Sequence, residues 1–589
     1  MSTDQEKLVA QLVDAASEVA DVTPSATDQG TAKSAQRKQV DVLVDLAAGA
    51  DLFHDPNNSA YADVVVAGRR KTLRVAGRDF QDWLCRGYYE RTRSAPGSEA
   101  LKSALGVIEA KARYDGPERR VFVRVGELEG RIYLDLGDDT WRAVEVDAAG
   151  WRMVDAPPVR FRRASGMKAL PVPVQGGSIE SLRQYLNVRS DADFVLVVSW
   201  TLAALRGRGP YPLLVVSGEQ GSAKSTFSDL VRALVDPNVA PLRALPREER
   251  DLFVAANNSH VLAFDNVSVL APWMSDTLCR LSTGGAFATR QLYSDQDEIL
   301  FEAARPVILN GIEDVVGRPD LADRALFLHL DPIEEGKRRL EAELRKEFEV
   351  ERPVILGALL DAVAVGLRRL PHTRLSKLPR MADFAIWGAA CETAFWPEGT
   401  FEAAYRGNRD EAVENVLDAD PIAIALREFF NLNPTWEGTA ATLLARLGGI
   451  TDQRIVGSRE WPKMPNALSG RLRRAAPYLR KLGIEVEFER DSGRARTRTI
   501  RIRPAGLSSS ETSGMGPSGP SVPSAHHSTN DLDGGPDRTV AKTSDGREMR
   551  AGQTVRYEPL KRAISDGADG TDDPFGDRPE TSPKWRTRI

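Results

Sequence analysis

Cysteine is nearly absent. The 589 residues hold three, Cys85, Cys279 and Cys391, far apart and with no metal-ligand spacing, which leaves no disulfide framework and fits a reducing compartment. Long apolar runs are missing too. The most apolar stretch, "FVLVVSWTLAAL" (Phe194 to Leu205), stops after twelve residues at Arg206, whereas a membrane span needs about 20. A buried core helix is expected there, and no membrane partner. The first residues, "MSTDQEKLVAQLVDAASEVA", lack the basic-then-apolar order of a secretory leader. The expectation is a soluble, cytoplasmic protein. No internal repeat is present, and neither sign of charge dominates: the net is −5. So mild an acidity leaves room for a local basic patch.

The length exceeds what one core fills, and about three or four domains are expected. Residues 1–35 read as a disordered or frayed N-terminus, and 36–165 as an α+β domain. In the latter, short β-like runs ("YADVVVAG", "KTLRVAG", "RIYLDLG") alternate with helical stretches ("FQDWLCRGYYERT", "ALKSALGVIEAKARYDG"). Over 180–335, "YPLLVVSG", "HVLAFDN", "RPVILNG" and "RALFLHLDP" are short and apolar on both faces, as buried strands of a parallel sheet are. Residues 336–415 read as a helical lid or linker, 421–503 as a further compact unit, and 504–589 as a disordered tail.

The chemistry begins at "GEQGSAKST". Gly218, Lys224 and Ser225 stand in phosphate-loop register, with Gln220, Gly221, Ser222, Ala223 and Thr226 completing the loop. Backbone N–H groups of such a loop face the phosphates, the lysine neutralises them, and the hydroxyl serves Mg2+. Ala223 takes the second glycine's place, which is harmless where that residue has helical dihedrals. Asp265 ends the strand "HVLAFDN" and is expected beside the loop, where a carboxylate would share the Mg2+ shell with Ser225. Asn310 ends "RPVILNG"; it would orient water, or only make a turn. Arg318 and Arg324 precede the next strand. Either would stabilise phosphate charge across a subunit boundary, or be an ordinary solvated arginine.

The order "GEQGSAKS", "VLAFDN", "LSTGGAFATRQLYSDQDEILF", "RPVILNGI", "DLADRALFLHL" resembles the core of superfamily-3 helicases, a branch of the AAA+ ATPases. Thr283, Gly284, Gly285, Arg290, Leu292 and Tyr293 match that family's segment leading into a pore hairpin. The chain also looks like replication proteins of phages, plasmids and integrated elements of actinobacteria. The resemblance implies an α/β P-loop AAA+ core and a homo-oligomeric ring, a hexamer being one size it allows. ATP and Mg2+ would be bound by Lys224, Ser225 and Asp265, with Asn310 as sensor and Arg324 as arginine finger. Two departures stand out. Asn266 replaces the second acid, so a base would come from elsewhere, such as Glu248 or Glu249. The hairpin tip "SDQDE" is acidic, unlike a loop gripping DNA, and leaves Arg290 on the stem as the cation there.

Residues 421–503 read as two helices, a third beginning at Asn466 or Ser469 with Leu468, Leu472, Ala475 and Leu479 on one side, and a hairpin turned at Asp491-Ser492-Gly493. That is the pattern of a winged helix-turn-helix. Its basic density, with Arg471, Arg473, Arg474, Arg494, Arg496 and Arg498 as the expected contacts, fits DNA phosphates. A solvated basic face is the bland alternative. The function expected is an ATP-hydrolysing DNA helicase or replication-initiation ATPase of a mobile element. The alternative is a nucleotide-gated DNA-binding regulator with weak or no turnover. A small-molecule kinase is disfavoured for want of an acceptor-site base.

Overall fold

The computed structural model describes residues 39–505 except 269, 291–297, 303, 312–320, 322, 419 and 491–497, with backbone alone at 286–290, 298–302 and 416. The expected N-terminal tail (1–35), Arg318, Leu292, Tyr293, the hairpin tip 294–297, Arg494, Arg496 and the side chain of Arg290 lie outside the described residues. So does the expected tail 504–589 apart from its first two residues, since Pro504 ends a strand and the Ala505 N–H donates to the Gly483 carbonyl.

After a helix over 39–47, strands β1 (Asp51–His54), β2 (Ala60–Val66) and β3 (Arg69–Arg74) form an antiparallel sheet. Two helices cover it, Arg78–Thr92 and Ser98–Tyr114. Their buried stripes, Phe80-Leu84-Tyr88 and Ala100-Ala104-Ile108-Ala112, recur every fourth residue, the spacing that keeps side chains on one helix face. Next, β4 (Val121–Phe122) pairs in parallel with β9 (Arg160–Phe161). Between them runs the antiparallel meander β5 (Val125–Leu128), β6 (Arg131–Asp135), β7 (Ala143–Asp147) and β8 (Gly150–Val154). Its Ile132, Leu134, Val144 and Val146 share one apolar cluster with the helix Asp191–Ala204 and with Ile355 and Leu359 of the long helix Glu341–Arg369. The apolar run of residues 194–205 is, as expected, a buried helix. Among the described residues no helix is long and apolar enough to cross a membrane.

A parallel sheet lies at the centre. It consists of β10 (Leu213–Gly218), β11 (Leu262–Val267), β14 (Val307–Gly311) and β15 (Ala325–Leu330), in the order β11-β14-β10-β15. The hairpin β12 (Ala286–Arg290) and β13 (Glu298–Glu302) stands apart from it. Alternation explains why these strands are apolar throughout. Leu214, Val216, Ile308 and Leu326 pack with the helix Asp191–Ala204. Leu213, Val215, Leu262 and Leu309 pack with Leu252, Phe253 and Leu278 of helices Glu249–Asn258 and Pro272–Thr283. The exposed edge of β15 is closed by Asn408 of helix Thr400–Asp418. Its carboxamide accepts from the Phe327 N–H at 3.1 Å and donates to the Phe327 carbonyl at 2.5 Å, occupying backbone groups that an edge strand would otherwise leave unpaired.

The C-terminal unit is built from helices Pro421–Leu432, Ala440–Ile450, Gln453–Gly457 and Pro465–Lys481, and from β16 (Trp436–Thr439), β17 (Ile484–Arg490) and β18 (Arg498–Pro504). The last helix starts at Pro465 rather than Asn466 or Ser469, because proline fits the first turn, where no N–H bond is needed. Its Leu468, Leu472, Ala475 and Leu479 are buried. Lys481 at its end reaches Asp323, just before β15, at 3.6 Å. Arg409 and Arg380 approach the same carboxylate at 3.5 and 3.8 Å.

Beneath the central sheet lies a buried polar knot. Arg124, fully buried, donates to Asp236 at 3.1 Å and to the carbonyls of Asp135 and Lys168. The other Asp236 oxygen accepts from the His260 and Val261 backbone at 2.9 and 3.1 Å. Burial works against the Asp236 charge, but Arg124, Arg232 and His260 hold its pKa below the usual value. The His260 ring donates to the Ala204 carbonyl at 2.6 Å. Burial first, then the Arg305 charge, lowers its pKa to about 4. The folded state therefore resists protonating a ring that the unfolded chain protonates near pH 6.5. Stability from this group is present above about pH 6.5 and is lost as pH falls toward 4, by about 3 kcal/mol in all. Urea unfolding from pH 7 to pH 4.5 should show His260→Gln with a shallower decline than the wild type, by up to one proton's worth of slope. Equal slopes would contradict the assignment.

Candidate nucleotide site and basic C-terminal groove

The central strands deliver their carboxyl ends to one edge. Gly218 ends β10 with φ +145°, and a Cβ there would lie 2.3 Å from the Leu330 carbonyl oxygen, so only glycine fits. The loop that follows is braced from within and from outside. The Ser222 hydroxyl donates to the Glu219 carbonyl at 2.8 Å, and the Asn187 amide donates to the carbonyls of Ser222 (3.0 Å) and Asp331 (2.7 Å). Gln220 and Gly221 are exposed at its crown, and Thr226 is half-buried on the first turn of helix Lys224–Ala233. The Lys224 ammonium donates to the carbonyls of Gly218 (2.7 Å) and Glu219 (2.8 Å), with Ser222 Oγ at 3.4 Å. It therefore sits in the mouth of its own loop.

Ala223 departs from expectation. Its backbone is left-handed, φ 60° and ψ 30°, not helical, so the methyl is strained rather than harmless. Such strain costs roughly 1–2 kcal/mol for an L-residue, which is the physical reason glycine suits this position.

Asp265 and Asn310 meet the loop helix. Ser225 Oγ lies 3.2 and 3.1 Å from the two Asp265 carboxylate oxygens. The buried Asn310 amide donates to Asp265 Oδ1 at 2.7 Å and approaches Ser225 Oγ at 3.3 Å. The Asp265 strand is not the loop strand's neighbour, because β14 lies between them. Asp265 reaches Ser225 across that strand's end. A bulge between Phe264 and Val267 aims it, with Asn266 in the left-handed region at φ 55° and its N–H on Asp265 Oδ1 at 2.9 Å. Two oxygen donors and a bracing amide suit a hard cation such as Mg2+ that keeps most of its shell from phosphates and water.

Other expected participants fall elsewhere. Arg324 immediately precedes β15; its carbonyl accepts from Leu213 N–H, at the end of β10 opposite Gly218 and about 16 Å away along the strand. Its guanidinium donates to Cys279 Sγ at 3.8 Å. Glu249 is held by Arg280 at 2.7 Å and by the Thr277 hydroxyl at 2.9 Å, and Glu248 precedes the same helix, exposed. Arg290 is placed by its backbone alone, opposite Glu298 in the hairpin stem.

The C-terminal basic residues divide by strand alternation. On the outer face of the hairpin, Arg501 pairs with Glu437 (3.1 Å) and Glu489 (2.7 Å), and Arg503 with Glu485 (3.3 Å) and Glu487 (2.6 Å). On the inner face, Arg490 stands opposite Arg498 in register, beyond the buried Ile500 and Ile502. These two line a groove of about 440 Å³ with Asn466, Ser469, Gly470 and Arg473 of the last helix. The Arg473 guanidinium lies 4.3 Å from the Phe488 ring centroid. Arg471 bonds the Glu460 carbonyl, and Arg474 is exposed. The sequence shows Arg490 only as part of the basic density and does not single it out as a contact, and it does not point to Asn187 at all. Period-two alternation from Phe488 would have put Arg490 on the groove side, whereas nothing marks Asn187 in the sequence.

The Ala223 geometry can be checked directly. Ala223→Gly should keep or raise unfolding stability by up to about 1 kcal/mol, whereas Ala223→Val should lower it by more than that. Urea denaturation of the three chains decides; valine behaving like alanine would contradict a left-handed residue.

Two family models match the chain. One, the actinomycete integrative conjugative element replication protein (AICE RepA), covers residues 179–415. The other, the AICE RepA C-terminal domain, covers residues 422–515. No curated protein matches. Similar solved structures include SCCmec type IV Cch, described as an active helicase, at 12% identity and TM-score 0.41, over 77% of this chain and 92% of that one. The apo NrS-1 C-terminal region is also similar, at 13% identity and TM-score 0.36, over 78% and 97%. At such identities and TM-scores neither likeness bears on what this chain does. With both RepA models matched in order over more than half its length, the chain belongs to the replication proteins of actinomycete integrative conjugative elements.

Proposed function

We propose that this replication protein is an ATP-binding and ATP-hydrolysing DNA helicase or initiation ATPase, with an AAA+ core of superfamily-3 type and a C-terminal winged helix. The observation that carries the proposal is the convergence of Ser225, Asp265 and Asn310 beside Lys224, with 3.1 and 2.7 Å contacts. The insertion of β14 between the loop strand and the acid strand supports the AAA+ assignment. The helix-strand-helix-helix-helix-strand-strand order of residues 421–504 supports the winged helix.

In this account the N–H groups of residues 219–225 and the Lys224 ammonium cradle the triphosphate. Ser225 and Asp265 would hold Mg2+, which supplies charge neutralisation at the phosphates when bound. Asn310 fixes the Asp265 carboxylate, so its first task is positioning. Arg324 lies too far from its own loop and would act on a neighbouring subunit of a ring. DNA would lie along the groove between the last helix and the hairpin, on Arg473, Arg490 and Arg498. Arg474, Arg494 and Arg496 are further expected phosphate contacts, as is Arg290 in the core. The neutral outer ladder of Arg501 and Arg503 would stay off the DNA.

A second reading has its own support. Asn266 is an exposed amide where a base would serve, and Glu249 is committed to Arg280. A nucleotide-gated DNA-binding regulator, assembling on ATP with little turnover, fits these facts.

Turnover separates the two. Purified full-length protein should hydrolyse ATP faster with single-stranded or forked DNA, and Lys224→Ala or Asp265→Ala should lower that rate on the order of a hundredfold. Assembly on ATP without turnover on any DNA form would move the assignment to the regulator. For the groove, Arg473→Ala, Arg490→Ala and Arg498→Ala should each weaken duplex binding and flatten its salt dependence by about one ion. Arg501→Ala and Arg503→Ala should leave both nearly unchanged, and titrations from low to moderate salt would show the reverse if the outer face were the contact.

A further inference from the structure

The segment joining β15 to the helix Glu341–Arg369 runs back over the phosphate loop. The Ile333 N–H donates to the Gly221 carbonyl at 3.2 Å, and Asn187 ties the Asp331 carbonyl to that of Ser222. Three of the cations that follow are committed to carboxylates. Lys337 pairs with Glu334 at 3.0 Å and Arg339 with Glu347 at 2.5 Å. Arg345 pairs with Glu341 at 2.8 Å and with Asp229 on the loop helix. Arg338 differs. Among the described residues no carboxylate pairs with it. Its Nε donates to the Ile333 carbonyl at 3.2 Å, and its Nη2 lies 3.4 Å from where a Cβ on Gly221 would stand. The fork is thus anchored by one edge and laid over the crown of the loop with its outer nitrogens uncommitted to any acid.

We propose that Arg338 is a second cationic ligand for the polyphosphate of a bound nucleoside triphosphate, acting from the same chain as Lys224. A guanidinium offers paired donors in a plane that matches phosphate oxygens, and it stays charged at any working pH. The strap's tie to Gly221 holds the approach distance, and the absent side chain at Gly221 leaves the path to the loop open. Arg338 would therefore engage the phosphate tail and not the base. Because the strap continues into the helix that carries Arg345, contact at Arg338 would also report the occupied loop to the helical segment.

This inference rests on the phosphate-loop assignment, and the experiment separates the two. The full-length wild type, Arg338→Ala, Arg338→Lys and Lys224→Ala are titrated with a fluorescent ATP analogue, then competed with ATP and with inorganic tripolyphosphate. Arg338→Ala should lose about tenfold or more in affinity for both competitors, with Arg338→Lys recovering part and the unfolding midpoint unchanged. Wild-type affinity in Arg338→Ala, alongside loss in Lys224→Ala, would overturn the inference and leave the loop assignment standing. Equal losses in the alanine and lysine variants with a lowered midpoint would reduce Arg338 to a brace for the strap, and so overturn it too. A wild type that binds none of the three ligands would overturn both.

Discussion

Parallel strands end on the same edge of a sheet, and that constraint governs the molecule. Because β10, β14 and β11 run the same way, Gly218, Asn310 and Asp265 must arrive together, however far apart they lie in sequence. The helix that leaves β10 then sets Ser225 against Asp265. The rest of the site is adjustment: a bulge to aim the carboxylate, a buried amide to hold it, and a glycine where the loop meets β15. The same constraint removes Arg324 from its own chain's site, since the start of a parallel strand lies at the far edge.

The sheet is also tied to everything around it. Asn408 closes its β15 edge, Arg345 joins the long helix to the loop helix through Asp229, and Asp323 gathers Arg380, Arg409 and Lys481. Asp323 adjoins Arg324, and Lys481 ends the helix that borders the basic groove. One partly exposed carboxylate therefore links the C-terminal unit to the residue proposed to serve a neighbouring subunit. Single exposed ion pairs contribute little to stability; the significance of this cluster is where it sits.

Much of this was legible in the residues. The buried helix of 194–205, the four apolar strands, the loop, and the stripe Leu468-Leu472-Ala475-Leu479 follow from periodicity and turn chemistry. What was not legible depends on tertiary approach. Nothing local shows that Ala223 is left-handed, because that follows from how the loop meets its helix. Nor does the sequence reveal that β14 separates the loop strand from the acid strand, or that Asn187 clamps the loop. The basic density of the C-terminal sequence overstates the available charge, since alternation along β18 pairs Arg501 and Arg503 with glutamates. The short strand β16, four residues with Gly438 inside, carries too weak a pattern to be seen alone.

The central claim is that Ser225 and Asp265 form one cation site that is completed by a nucleotide. Electron paramagnetic resonance of Mn2+ with the full-length protein and a non-hydrolysable ATP analogue tests it most directly. The account predicts Mn2+ held by the protein only when nucleotide is present, and lost in Asp265→Ala. Nucleotide-dependent Mn2+ binding that survives intact in Asp265→Ala would contradict it.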